Sequence, residues 1–260
     1  MTIRTDLMQA LPPDWPAPAP SDNADAAQLR LVTRHWSICG RAPMQLVMAG
    51  FDPGDFKPGR FGQAGIQCPE QVARSVNKRQ AEFFFGRSCA RAALAGIGLG
   101  LGDTDIPIGA ARQPLWPAGV LGSITHSHHV AAALVLPASQ YGGIGIDIET
   151  VGEGTLDFMH GSIVSAHELA YLRTLQDRLD LNTLLTLVFS AKESFFKAAF
   201  GAVQRLFDFD AVHIERIDVD SRTISFALTE TLCPQFQQGT RWSAAYAVMD
   251  RRQIVTGFLW

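Results

Sequence analysis

The sequence lacks any surplus of positive charge. Among its 260 residues Lys and Arg total 22 and Asp and Glu 25, a net of −3, so no global field would draw the chain onto DNA or an anionic membrane. Cysteine is scarce as well. Cys39, Cys68, Cys89 and Cys233 include no CxxC pair, which argues against a zinc knuckle or a stapled secreted scaffold and leaves reduced, buried thiols as the expectation. No apolar run reaches the roughly 18 residues a membrane span needs. Met1 to Gln9 carries Arg4 and Asp6 where an export signal would have an apolar core, so a cytoplasmic location is expected. What is present is hydrophobic: 47% apolar residues against 18% charged, with 16 Phe and 5 Trp. That composition is globular, and the length suits one large domain or two modest ones.

Leu11 to Asn23 holds five of the 14 prolines and reads as an extended surface strap. Phe51 to Gly65 is built from Pro, Gly and Asp turn residues and reads as a loop. From about Glu70 to Leu99 the pattern is helical, and Gly96, Gly98, Gly100 and Gly102 are natural terminators. Short β-like runs follow at Val120–Thr125, Val130–Leu136 and Ile144–Ile148. A second helix, about Asn182 to Phe200, precedes strands at Val212–Val219, Thr223–Leu228, Ser243–Met249 and Gln253–Phe258. Helix then strands occurs twice. The reading is an α+β chain of two similar halves, residues 1–138 and 139–260, with a site expected at their seam.

Four segments carry chemistry. In Gly145-Ile146-Asp147-Ile148-Glu149, alternate strand residues share a face, so Asp147 and Glu149 project together. Such a pair is favourable where a hard divalent cation sits between the carboxylates, and Mg²⁺ with oxygen ligands fits; on this segment alone a solvated strand end explains it equally well. In Phe189 to Lys197, Phe189, Phe196 and Phe200 form a helical stripe facing the core. Glu193 and Lys197 line one flank at i, i+4, and Lys192 lines the other. Combined with Asp147 and Glu149, Glu193 gives three carboxylates for one metal, and Lys197 a point charge for a phosphate. Ser194 to Lys197 also matches S-x-x-K, but K-T-G and S-D-N partners are missing.

The third segment, Gly122 to His129, has three histidines within four residues but no complementary ligand set at zinc spacing. Thr125 and His126, at a strand-to-strand turn, could donate to a phosphate. The fourth, Lys78 to Arg91, belongs to a stretch with five basic residues (Arg74, Lys78, Arg79, Arg87, Arg91) against Glu70 and Glu82. One flank of that helix presents guanidiniums suited to phosphate, and Gly86 would allow close approach of a ligand.

In this order the four segments resemble the surfactin-synthetase-activating type of 4′-phosphopantetheinyl transferase, and most closely its enterobactin synthetase component D branch. The matching pieces are KRxxEFxxGRxCARxAL at Lys78–Leu94, RxPxWPxGxxGSxTH at Arg112–His126, GIDIE at Gly145–Glu149 and FSAKESxFKA at Phe189–Ala198. The resemblance implies two α/β halves related by a pseudo-twofold axis. It implies transfer of the phosphopantetheine arm of coenzyme A to a serine of an apo carrier protein, with release of adenosine 3′,5′-bisphosphate. Asp147, Glu149 and Glu193 would hold Mg²⁺, with Glu193 as general base. Lys197 and His126 would act on the reacting phosphates. Arg79, Arg87, Arg91, Arg112, Thr125, His126, Lys192 and Lys197 would bind coenzyme A. Expected partners are acyl, aryl or peptidyl carrier domains, with no nucleic acid and no membrane span, and the expected state is a monomer. Two other readings are a Mg²⁺-dependent nuclease, which would need a basic track the charge balance disfavours, and a non-catalytic coenzyme A or carrier-binding module.

Overall fold

A computed structural model describes residues 29–98, 104–152, 163–249 and 253–260. The Pro-rich strap at 11–23 and the glycines at 100 and 102 lie outside them. The chain divides into two compact units. Among the described residues one holds 29–36 and 43–144, and the other holds 37–42 and 145–260.

In the first unit, β1 (Leu31–Trp36), β2 (Met44–Gly50), β3 (Val120–Ser127) and β4 (Val130–Pro137) form an antiparallel sheet in the order β1-β2-β4-β3. Two single turns, α1 (Arg60–Gln63) and α2 (Glu70–Ala73), lead into the long helix α3 (Asn77–Gly96). The helix expected from Glu70 onward is therefore broken once. Gln80 Nε2 donates to the carbonyls of Ala73 and Ser75, and Ser75 Oγ donates to that of Val72. These side chains satisfy carbonyls that a continuous helix would have used, and Val76 turns extended as the cap of α3. The core gathers Phe51, Phe56, Phe61, Phe83, Phe84 and Phe85 against the alanines and valines of β2 and β4. Phe51 stacks on Phe85 with ring centroids 4.5 Å apart.

The second unit holds β5 (Ile144–Thr150, from Gly145 onward), α4 (Ala166–Arg173), α5 (Leu181–Val203), β6 (Val212–Asp218), β7 (Thr223–Leu228), β8 (Arg241–Val248) and β9 (Gln253–Leu259). Its sheet runs β5-β9-β8-β7-β6. α5 starts where Asp180 accepts from the Thr183 amide and ends at Gln204 in the left-handed region. Its core-facing side is rotated from the expected Phe189/Phe196/Phe200 stripe. Its buried apolar residues include Leu184, Leu187, Val188, Ala191, Phe195 and Ala198, and Phe195 meets Phe226, Phe236 and Phe258 edge-on. Phe196 packs on Phe200 and Phe207 at the margin. The reason is the depth of the pocket under the helix: Phe195 fills the centre of the sheet, and its neighbours are displaced one position around the helix. β1, β2 and α4 carried no sequence expectation.

Candidate functional site

β5 is the edge strand beside β9, buried from Ile144 to Ile148 and half-buried at Glu149 and Thr150, with α5 in contact at Gly145. Ile146 and Ile148 are fully enclosed, and Asp147 keeps only 3% of its surface. The solvated strand end is thereby replaced by a carboxylate in the interior, which needs a positive partner. Lys197 supplies it. Its Nζ lies 2.5 Å from Asp147 Oδ1 and 3.3 Å from the carbonyl of Ile146.

Glu149 and Glu193 complete the group. Burial first, then the neighbouring Asp147 and Glu193 charges, push Glu149 up to about 8, against the opposing pull of Lys197 and the Thr150 amide. Glu193 is raised by burial and by Asp147, with Lys197 opposing. Burial would lower Lys197, but Asp147, Glu193 and Glu149 together hold it above the ordinary lysine range. Three carboxylates thus share one ammonium. Hard oxygen donors short of positive charge are the condition a divalent cation relieves. Even so, among the described residues no group of three or more His, Cys, Asp or Glu side chains is gathered closely enough to hold a metal ion.

Lys192 departs from its expected place on an accessible flank. With α5 rotated about Phe195, its side chain points inward at 1% exposure, 3.0 Å from Glu168 Oε1, and donates to the carbonyl of Ile163 at 2.8 Å. Glu168 is itself tied down. It caps Ser165 in a capping box and accepts from the Ile214 amide at 2.8 Å. The S-x-x-E spacing of Ser165 to Glu168 was the available sequence signal for α4. A lysine so fully enclosed belongs to the core of the unit.

The remaining candidates lie in the first unit. Arg87 is 8% exposed; its Nε donates to the carbonyl of Ile106 at 2.8 Å, and its guanidinium lies 4.5 Å from the centre of the Phe83 ring. Arg91 Nη1 donates to the carbonyls of Ala64 and Gly65. Both line one cavity of about 270 Å³ with Ile66, Cys68, Asp105 and Ile106. Gly86 turns away from any ligand, since a Cβ there would meet Ile124 Cγ2 at 2.9 Å; its smallness serves packing of α3 on β3. Arg79 Nη1 lies 2.9 Å from His126 Nε2 and 3.4 Å from Glu82 Oε2. Thr125 and His126 are inside β3 and not at its end. Thr125 is buried and His126 half-buried on the opposite face, and the turn falls at His128, whose φ is 47°. Arg112 is exposed in a turn at φ 65°.

These two sets coincide with two family matches. Residues 68–136 match the 4′-phosphopantetheinyl transferase N-terminal domain, and residues 143–249 match the 4′-phosphopantetheinyl transferase superfamily. Enterobactin synthase component D of Salmonella typhimurium is 39% identical over 169 residues, 65% of this chain and 67% of that protein. The 4′-phosphopantetheinyl transferase Npt of Nocardia iowensis is 38% identical over 148 residues, 55% of this chain and 62% of the relative. The corresponding enzyme PptT of Mycobacterium tuberculosis is 35% identical over 146 residues, 55% of this chain and 61% of the relative. The matches to Npt and PptT thus span a little over three fifths of those proteins. The chain belongs to the 4′-phosphopantetheinyl transferase superfamily. None of its described helices is long and apolar enough to cross a membrane.

The Lys192–Glu168 pair generates a stability prediction. Glu168→Gln leaves the ammonium buried without its counter-charge, so it should destabilise the protein by roughly 3–5 kcal/mol, while Glu168→Gln with Lys192→Met should recover much of the loss. Burial alone would raise Glu168, but Lys192 and the Ile214 and Ser165 amides outweigh it and hold its carboxyl below the usual range. A depressed carboxylate stabilises the fold fully above its unfolded pKa, and that stability is lost as pH falls through the folded value. Urea midpoints measured from neutral to acid pH should fall for the wild type, and Glu168→Gln should lack this component. Equal pH profiles for the two proteins would remove Glu168 from the account.

Proposed function

We propose that the protein transfers the 4′-phosphopantetheine arm of coenzyme A to a serine of an apo carrier protein, releasing adenosine 3′,5′-bisphosphate. The observation that carries this reading is the group of Asp147, Glu149, Glu193 and Lys197 between β5 and α5, inside the segment matched to the superfamily. Asp147, Glu149 and Glu193 are the proposed Mg²⁺ ligands, by donor chemistry and shortage of positive charge. When bound, the ion would neutralise charge on the diphosphate of coenzyme A.

The chain's own residues then divide the work. Glu193, raised by burial and by Asp147, is a stronger base than an ordinary carboxylate and takes the proton from the serine hydroxyl. The serine oxygen attacks the β-phosphorus, its new P–O bond forms as the diphosphate P–O bond breaks, and the bisphosphate leaves with the electron pair. Lys197, kept protonated by its carboxylate neighbours, offers charge to the phosphate oxygens. His126 serves the same phosphates in this reading, and Arg79, Arg87, Arg91, Arg112 and Thr125 hold coenzyme A. The pseudo-twofold relation of the two halves belongs to this proposal as well, supported by the recurrence of a long helix, α3 or α5, with a β-sheet in each unit. Carrier identity, whether acyl, aryl or peptidyl, would set the pathway: siderophore, nonribosomal peptide, polyketide or fatty acid synthesis.

Mass spectrometry of apo carriers incubated with coenzyme A and Mg²⁺ tests the reaction directly: a gain of one phosphopantetheine arm is expected. Asp147→Asn and Glu149→Gln should abolish transfer with little change in coenzyme A affinity, because the arginines remain. Wild-type rates in excess EDTA would sink the metal assignment. Glu193→Gln should slow transfer about 10² to 10⁴-fold, the usual reach of general-base loss; turnover near that of the wild type would rule Glu193 out as the base.

The cavity shared by Arg87 and Arg91 generates a second test. If these guanidiniums read the 3′-phosphate, Arg91→Ala should raise the coenzyme A KM roughly 10 to 100-fold with less effect on kcat, the loss expected for one hydrogen bond to a charged group. Lys197→Ala should chiefly lower kcat. Dephospho-coenzyme A separates the cases, since an arginine reading only the missing phosphate loses nothing there. Arg87→Ala and Arg91→Ala variants that impair both substrates equally would show the assignment to be wrong.

A further inference from the structure

Gly145 is the point at which β5 touches α5. A Cβ placed there would overlap the carbonyl oxygen of Ser194 and lie 2.8 Å from the amide nitrogen of Ala198. Those two atoms are the acceptor and donor of one helical i to i+4 bond, on the turn that carries Glu193 and Lys197. Strand backbone therefore rests on helix backbone, with nothing between that could yield. Beside this contact lies a group of hydroxyls that the reaction does not use. Ser194 Oγ is 2.7 Å from Thr256 Oγ1 and donates to the Thr256 carbonyl at 3.1 Å, while Ser190 Oγ is 2.8 Å from Thr256 Oγ1 and 3.3 Å from the carbonyl oxygen of Asp147. All three residues are completely buried. They join α5, β9 and β5 at the residue whose side chain meets Lys197.

A Ser-Thr-Ser group in an otherwise apolar core is expensive unless every hydroxyl is matched, and an Ala or Val at these positions would pack without that demand. Its hydrogen bonds are directional where apolar contacts are not, so it specifies how far along and how far around α5 the strand sits. We propose that Gly145 and the Ser190, Ser194 and Thr256 hydroxyls are positioning residues that fix the separation of Asp147 and Glu149 on β5 from Glu193 and Lys197 on α5. The inference rests on the reading of those four side chains as the working set. Gly145 sets the depth of approach, and the hydroxyls set the register. Relaxing either leaves the functional side chains present but misplaced.

The test compares Thr256→Val, which keeps shape and removes the hydroxyl, with Thr256→Ser, which keeps the hydroxyl, and with Ser190→Ala and Gly145→Ala. For each, arm transfer is measured as kcat and coenzyme A KM. Mn²⁺ affinity of the metal-free protein is followed by electron paramagnetic resonance, and the urea midpoint is recorded. A displacement approaching 1 Å can cost about 100-fold in rate, so Thr256→Val and Gly145→Ala should lose roughly 10 to 100-fold in kcat with KM nearly unchanged. Mn²⁺ binding should weaken in parallel, and Thr256→Ser should recover most of both. Should Gly145→Ala fail to fold, Thr256→Val and Ser190→Ala carry the same test. Variants that lose stability but keep wild-type kcat and Mn²⁺ affinity would overturn the proposal, leaving the network a purely structural one. A wild-type protein that neither transfers the arm nor binds Mn²⁺ overturns the functional reading and this inference with it, a result distinct from active wild type with unaffected variants.

Discussion

The backbone of β5 lies directly on the backbone of α5, and most of what distinguishes the second unit follows from that contact. With only hydrogen at the Cα of residue 145, the strand comes close enough for Asp147 to be enclosed instead of solvated. An enclosed carboxylate requires a cation, and the helical turn under the strand offers Lys197 at 2.5 Å. The same turn carries Glu193, so the approach that buries one carboxylate brings a second beside it. The strand's alternation adds Glu149 on the Asp147 face. One steric fact thus brings four charged groups within electrostatic reach of one another, at a cost that hydrophobic packing around Phe195 must sustain.

Two lysines five residues apart on α5 show how differently the fold treats charge. Lys192 meets Glu168 at 3.0 Å, with His213 3.9 Å from the same carboxylate and backbone amides as its further partners, so the ammonium is matched by a carboxylate in the core. Lys197 faces three carboxylates, and burial first, then the neighbouring negative charges, shift Glu149 and Glu193 upward against its pull. A balanced buried pair is what stability tolerates; an unbalanced cluster carries perturbed carboxyl groups, the kind of environment in which functional side chains are found. Sequence spacing cannot separate the two lysines, because both sit beside Glu193 on one helix. What separates them is the rotation of α5, which depends on Phe195 winning the centre of the core over Phe189 and Phe196.

Among the described residues the α+β class, seven of nine strands and both long helices were legible because each is a strongly periodic run with turn residues at its ends. β1 and β2 were not, since Leu31–Trp36 sets exposed Thr33 and His35 among half-buried Leu31, Val32 and Arg34, and Met44–Gly50 is a short apolar run without alternation. The carboxylates and Lys197 were found from side-chain chemistry and spacing. Lys192, Thr125 and Gly86 were misplaced because their assignments turned on which way an element faces, and tertiary packing decides that. Ser190, Ser194 and Thr256 gave no signal at all: two serines in a helix and a threonine in a strand look like ordinary filling until the fold stacks them.

In the first unit two arginines are held in place by the fold itself. Arg87 Nε is committed to the Ile106 carbonyl and its plane rests near Phe83, while Arg91 is braced by the carbonyls of Ala64 and Gly65. Burial first, and then Arg79, lowers Arg87 to about 10, which still leaves the guanidinium charged at neutral pH. Such a group has already lost part of its hydration and much of its rotamer freedom during folding. An anion entering the cavity therefore meets a cation that is poorly screened and fixed in direction, so each contact contributes more than the same arginine could on a solvated helix face. Immobilised cations in the first unit and a carboxylate cluster around one ammonium in the second are each assembled by contacts within their own unit.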